Sequence, residues 1–421
     1  EGLENGGTLT NQSDGVVTTT LLDNSGNLSN LDTSVFNAAE VTNGGPTASL
    51  VNQGDFNVTG MVSNTGSITT SGTFDSGLLQ NYLSFVNDGG TVGGTAADAI
   101  DNDGTLTNQN AGVLNATDID NSGNFSNLDT SVVNTATFDN EGAGSLVNQG
   151  DFNASGAVTN LNSINNTGTF DAASIDNDAT FVNDGGTVGG TTAGSIDSSV
   201  TLTNQNAAEL TATTITNSGT LSNLDTSSVT ATTSVTNTGS ITSFGTFDTA
   251  ALDNDMTFVN DGGTVGGTTP GSIDNDGTLT NQNAGVLNAT DIDNSGNFSN
   301  LDTSVVNTAT FDNEGAGSLV NQGDFNASGA VTNLNSINNT GTFDAASIDN
   351  DATFVNNGGI VGGTTPGSID TSGTLTNQTA GVIFATDIDN SGTMSNLDTS
   401  TVNGSTFDNV GCTSQLTNAG T

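Results

Sequence analysis

The chain has 421 residues, with no Lys, Arg or His and 45 acidic residues, so its formal charge is −45 at neutral pH. Binding to nucleic acid or to an anionic membrane surface needs Lys and Arg to displace counter-ions, so both are excluded and a charged partner must bring the positive charge. Charged residues are only 11% and hydrophobic residues 32%, so the imbalance reflects missing cations rather than dense acidity; Gly, Asn, Asp, Thr and Ser dominate, a composition that by itself points to disorder.

Periodicity overrules that reading. The first stretch, residues 3–99, holds five units that each begin apolar-x-Asn, at Leu3, Leu22, Val41, Val62 and Leu79. The next, residues 100–195, repeats the plan from Ile100, Ile119, Phe138, Val158 and Ile175, with starts 19, 19, 20 and 17 residues apart and a last unit of 21. Residues 196–272 hold one unit fewer, from Ile196, Ile215, Val235 and Leu252. Residues 273–368 return to five, and Ile100–Asn183 recurs letter for letter as Ile273–Asn356, a sign of recent copying. Residues 369–421 are an incomplete group from Ile369, Ile388 and Phe407, which brings the count to 22 units.

Each unit carries the signal twice and then a third apolar point, as in Ile100-Asp101-Asn102, Leu106-Thr107-Asn108 and Val113-Leu114. Anchors about six residues apart, separated by Asn, Gly, Asp and Ser, are too closely spaced for helices and fit brief strands joined by tight turns. The predicted fold is all-β: one elongated parallel β-solenoid (β-helix) of about 22 coils of about 19 residues, three short strands per coil, grouped in five-coil super-repeats. Loss of a whole unit from residues 196–272 without loss of phase agrees with a stack of nearest-neighbour modules. At about 4.8 Å per coil the stack is roughly 100 Å long. Gly104 and Gly112 are expected to supply positive φ at corners.

The Asn residues form two columns. The first runs Asn102, Asn121, Asn140, Asn160, Asn177 and is broken along the chain by Ser198 and Thr371; the second runs Asn108, Asn127, Asn148, Asn166, Asn183 and is broken by Thr70 and Ser243. Identical amides stacked at the inter-strand distance can hydrogen-bond up the column, so these residues are read as structural ladders rather than ligands.

The apolar-x-Asn-x-Gly rhythm at about nineteen residues resembles the β-solenoid stalks of filamentous haemagglutinin-type and autotransporter adhesins, over nearly the whole chain. The resemblance implies a scaffold and carries over no catalytic or receptor-binding position. This chain departs from that pattern in lacking Lys and Arg altogether, which speaks against direct binding of sulfated or acidic glycans.

Between the apolar anchor and Asn stands an outward residue that is usually Asp. The rows are Asp101, Asp120, Asp139, then Asp253, Asp274, Asp293, Asp312, then Asp349, Asp370, Asp389, Asp408. Carboxylates about 4.8 Å apart repel by about 1 kcal/mol in water and about 3 at an effective dielectric of 20, and no basic side chain offsets this. Ca²⁺ or another hard cation is therefore the candidate occupant, and rows on two rods can share ions and bundle them. A solvated acidic face that prevents aggregation is the plainer alternative.

Outward Thr-x-Thr pairs at Thr8-Leu9-Thr10, Thr105-Leu106-Thr107, Thr201-Leu202-Thr203 and Thr278-Leu279-Thr280 suggest ice binding, although Asn124-Phe125-Ser126 and Ser145-Leu146-Val147 interrupt the column. The acids recur with the repeat instead of converging once, so no enzyme is expected. The Gly-Gly-Thr-Val-Gly-Gly run at Gly89, Gly185 and Gly262 lacks the Lys of a phosphate loop and reads as a flexible corner. Asn57-Val58-Thr59, Asn115-Ala116-Thr117 and Asn153-Ala154-Ser155 are acceptor triplets for glycans if the source glycosylates secreted proteins. Cys412 is the only cysteine; it can pair only between chains, and the plainer reading is a lone small residue in a turn.

Taken together these features predict an extracellular or cell-surface structural protein. The expectation is a filament built by head-to-tail self-association, with cation-bridged bundles and matrix contacts. The alternatives are an adhesin stalk segment and an ice-binding protein.

Overall fold

The computed structural model describes residues 1–94, 98–191, 193–268, 270–411 and 414–421. Cys412 lies outside the described residues. The described residues contain strands and turns and no helix. They form a parallel β-solenoid of about 22 coils of about 19 residues, in two compact units, residues 1–213 and 214–421.

In residues 1–213 each coil has the three predicted strands. The coil from Leu3 shows them as Gly2–Asn5, Thr8–Asn11 and Val16–Thr18. Each pairs in parallel with its counterpart one coil on, so that Leu3 faces Leu22, Leu9 faces Leu28 and Val17 faces Phe36. The first and third strands share one sheet and the second strands form another. In several coils the third strand runs without interruption into the next coil's first, as in Val113–Asn121 and Asp151–Asn160. There the alternation of buried and outward residues slips once, between Ala116 and Ile119, and the register shifts at Asp98 and Ala99. One irregular step thus replaces a turn.

The core consists of three apolar columns. Ile119, Phe125 and Val133 represent them in one coil, all at 0% exposure. Phe36, Phe56 and Phe74 stack down the third column with centroids 4.9 and 5.4 Å apart. Phe170 meets Phe181 of the second column edge to face at 5.3 Å, so rings also lock columns to one another.

Residues 214–421 repeat the plan. Ile292 faces Phe311, Leu279 faces Phe298 and Val306 faces Phe325, and Phe325 stacks on Phe343 at 4.8 Å.

The corners correct one expectation. Neither Gly104 nor Gly112 has positive φ; that conformation falls on Asn110 (φ 56) and Ala111 (φ 61), in a turn closed by Gly112 N–H donating to Gln109 O at 3.0 Å. Gly is required at both sites by close approach instead. A Cβ at Gly104 would lie 2.5 Å from the Leu83 carbonyl oxygen, and one at Gly112 2.6 Å from Asn108 Oδ1. Coil stacking brings backbone against backbone at the first corner, and the ladder amide fills the space at the second.

Both Asn columns are hydrogen-bonded ladders. From Asn24 to Asn177 each Nδ2 donates to the next Oδ1 at 2.7–2.9 Å. The second column does the same from Asn87 through Asn108, Asn127, Asn148, Asn166 and Asn183 to Asn204. The amide orientation is fixed by a second set of bonds, in which Nδ2 also donates to a backbone carbonyl one coil on, as from Asn81 to Thr105 O at 2.9 Å. A flipped amide would set Oδ1 against that carbonyl oxygen. Every rung therefore points the same way, with donors toward the C-terminal coil.

Where a hydroxyl replaces the amide the relay fails. Asn52 donates to Thr70 Oγ1, but Thr70 gives its single proton to Gly72 O, and the next acceptor, Asn87 Oδ1, is buried without a partner. Ser243 and Thr371 likewise donate to backbone carbonyls and leave Asn260 Oδ1 and Asn390 Oδ1 unsatisfied. An orphaned buried acceptor costs roughly 1–3 kcal/mol.

Restoring the amide by Ser243→Asn or Thr371→Asn is expected to raise stability by about 1 kcal/mol each, read as a higher urea midpoint. Conversely, Asn127→Ala leaves Asn108 without its acceptor and Asn148 without its donor, and is expected to cost roughly 2–4 kcal/mol in the same measurement.

Candidate functional site

Strand alternation places the residue between the core anchor and the ladder amide on the outer surface, and parallel pairing puts the same residue of the next coil beside it. The predicted rows are in register. Asp101 faces Asp120 and Asp120 faces Asp139 in residues 1–213. In residues 214–421 Asp253, Asp274, Asp293 and Asp312 form one row and Asp349, Asp370, Asp389 and Asp408 another.

The surroundings raise six of these carboxyls, Asp120, Asp253, Asp274, Asp293, Asp349 and Asp389, above their ordinary range. For Asp120 partial burial against the sheet is the larger cause, followed by Asp118, Asp139, Glu141 and Asp101. Asp293 follows the same order, burial first and then Asp291, Asp312, Asp274 and Glu314. At Asp389 the neighbouring Asp387 is the first cause. Asp253, Asp274 and Asp349 are raised as well, each by burial first.

Three carboxylate groups escaped the sequence reading. Asp176 and Asp197 face each other, and Asp176 is raised by burial, then by Asp178 and Asp197; the apolar-Asp signal was present there, in a pair rather than a longer row. Asp118, Asp291 and Asp387 form a parallel set beside the rows, accepting from Thr137, Thr310 and Thr406 Oγ1. Finally, Asp75, Asp171, Asp248 and Asp344 are at most 7% exposed and sit under the Gly-rich runs.

Asp75, Asp171 and Asp248 change the reading of the Gly-Gly-Thr-Val-Gly-Gly runs, and Asp344 does the same for the related Gly-Gly-Ile-Val-Gly-Gly run at Gly358. Gly267 N–H donates to Asp248 Oδ1 at 2.5 Å, and the Thr191 and Thr364 amides and hydroxyls donate to Asp171 and Asp344. At the corner expected there, described N–H groups donate to a buried carboxylate. These N–H groups form an anion site of the kind a phosphate loop offers, already filled by the protein's own Asp.

Between such loops lies a shallow trough. In residues 214–421 it measures about 1080 Å³, floored by Asn288, Asn307 and Asn326 and walled by Pro270 and Pro366. Asn115, Asn134 and Asn153 floor its counterpart of about 600 Å³ in residues 1–213. The floor amides form a third, exposed ladder, with Asn134 donating to Asn115 at 3.0 Å and Asn153 to Asn134 at 3.1 Å. The acceptor triplets beginning at Asn115 and Asn153 therefore start on ladder rungs.

Among the described residues no group of three or more His, Cys, Asp or Glu converges so as to hold a metal ion. The rows hold carboxylates in line, one per coil, an arrangement suited to a loosely held counter-ion cloud. Comparison of the chain with protein-family models, curated proteins and solved structures finds no match.

The raised carboxyls set the sign of the pH dependence. A folded carboxyl with a raised pKa binds its proton more tightly than the unfolded chain does. Its stabilisation is fully present below the ordinary value of 3.8 and is lost as pH rises through the raised folded values. Thermal midpoints at low ionic strength are expected to be higher near pH 4 than near pH 7.5, with added salt narrowing the gap. Asp120→Asn and Asp293→Asn should raise the midpoint at the higher pH and leave it unchanged at the lower.

Proposed function

We propose that this chain is an extracellular structural protein, an acidic β-solenoid scaffold that extends into a filament by head-to-tail self-association. The observation that supports this most is the uniform direction of both Asn ladders. Where the ladders are unbroken each coil presents amide donors on its C-terminal side and amide acceptors on its N-terminal side, so such a coil edge complements the opposite edge of an identical stack. Parallel strands continue by the same logic, because an open edge offers unpaired N–H and C=O groups.

The surface chemistry agrees with a scaffold. Acids follow the repeat, and among the described residues there is no single place where nucleophile, base and oxyanion donors meet. Cations, Ca²⁺ among them, condense along the Asp rows and relieve their repulsion without being bound stoichiometrically. The second reading is a stalk segment of a larger cell-surface adhesin, supported by the apolar-x-Asn-x-Gly rhythm shared with such stalks.

Negative-stain electron microscopy of the purified chain, at equal ionic strength with Ca²⁺ and with chelator, separates the two. The filament reading expects continuous fibres longer than one chain in both conditions. Isolated particles at every concentration would sink it and leave the stalk.

A further inference from the structure

The second strand of each coil holds two outward side chains, one on either side of its buried apolar residue. In residues 1–213 examples are Thr105 and Thr107, then Ser145 and Val147; in residues 214–421, Thr278 and Thr280, then Ser318 and Val320. Among the described residues, neither Asp nor Glu occupies either position in any second strand of residues 1–213. The same holds for residues 214–421. In a chain with 45 acids in 421 residues several carboxylates would be expected at these positions by chance.

The first and third strands do carry outward acids, such as Asp120 and Asp151. Carboxylates also border the uncharged face. Asp88, Asp184 and Asp261 stand where second strands run one residue further, and Asp103, Asp178 and Asp276 stand at the opposite corner. An uncharged centre inside a charged rim is the anatomy of a protein interface.

We infer that this face docks against the same face of a second copy of the chain. The occupant follows from charge. Contact between copies through the Asp rows sets carboxylate against carboxylate with no basic side chain to pair them, whereas contact through the two outward positions here brings none together. The side chains are Ser, Thr, Val, Asn and one Gln, small enough for two flat sheets to approach to about 10 Å and interdigitate. Eleven strands of four residues cover roughly 50 by 13 Å, about 650 Å² per copy in each unit, against about 800 Å² per partner in a standard interface. Pairing through one unit alone is weak. The inference rests on the scaffold reading and names its lateral partner.

Sedimentation velocity of the full chain over a concentration series, with Ca²⁺ and with chelator, tests it. One variant carries Thr107→Glu, Val147→Glu, Thr280→Glu and Val320→Glu; a second carries Gln at the same four positions. Self-association that persists in chelator, weakens at least tenfold in the Glu variant and survives in the Gln variant, with unchanged far-UV circular dichroism in both, supports the inference. It is overturned if the Glu variant associates as tightly as the wild type, if both variants fall equally, or if the wild type never associates. Thermal hysteresis lost in the Glu variant without any self-association would assign the face to ice and also overturn it. The filament reading fails separately: fibres of single width in the Glu variant uphold end-to-end growth, and their absence from both proteins refutes it while leaving lateral pairing intact.

Discussion

The structure depends on one repeated constraint, that each coil must set an amide where the next coil's amide can receive its proton. A primary amide has both a donor and an acceptor, so it can pass a hydrogen bond along a column without end. A hydroxyl has one proton, and a local backbone carbonyl claims it. That difference separates Asn121, bonded above and below, from Thr70, which satisfies Asn52 and strands Asn87. Because the amides are fully buried, each failure carries a desolvation cost, and the thin core has little apolar area with which to offset it.

The same register that builds the ladders creates the electrostatic problem. Parallel in-phase stacking places like beside like, which benefits Asn and Phe and penalises Asp. With no cation available, the chain disposes of its carboxylates in different ways. Asp171 and Asp344 are buried and neutralise loop N–H dipoles. Asp129 and Asp302 sit in the second corner with φ near 55 and accept the amide of the preceding coil's turn. The rows from Asp101 and from Asp253 remain, and the raised carboxyls of Asp120, Asp253, Asp274 and Asp293 within them are the residue of that conflict. The two outward positions flanking the buried residue of each second strand, which hold no acid among the described residues, are the complement of these arrangements.

Much of the fold was legible because periodicity and chemistry coincide. Apolar-x-Asn recurs in nearly every coil, and a ladder makes use of a recurrent amide beside a core residue. Corner conformation was not legible, since the letters Gly104 and Gly112 are compatible both with positive φ and with backbone contact, and only coil stacking decides between them. The candidate site was legible in part. Phe138-Asp139-Asn140 and Phe170-Asp171-Ala172 begin with the same two letters, yet Asp139 faces solvent and Asp171 lies beneath a loop. What separates them is strand identity within the coil, carried by the third letter alone: Asn140 marks the first column, and Ala172, with no ladder amide, the third.

Strand identity also explains why the repeat tolerates the loss of a whole coil yet keeps its phase. Removing one complete coil, as in residues 196–272, returns every column to a neighbour of its own kind. Removing one residue from a strand would flip its side chains, set a ladder amide on the surface and an Asp in the core. Length changes are therefore confined to the corners, where coils of 17 and 21 residues differ and where the pinned loops stand. Selection on such a molecule acts on columns rather than on points. A function spread along a face, uniform from coil to coil, is the kind that this architecture can keep while it gains and loses coils.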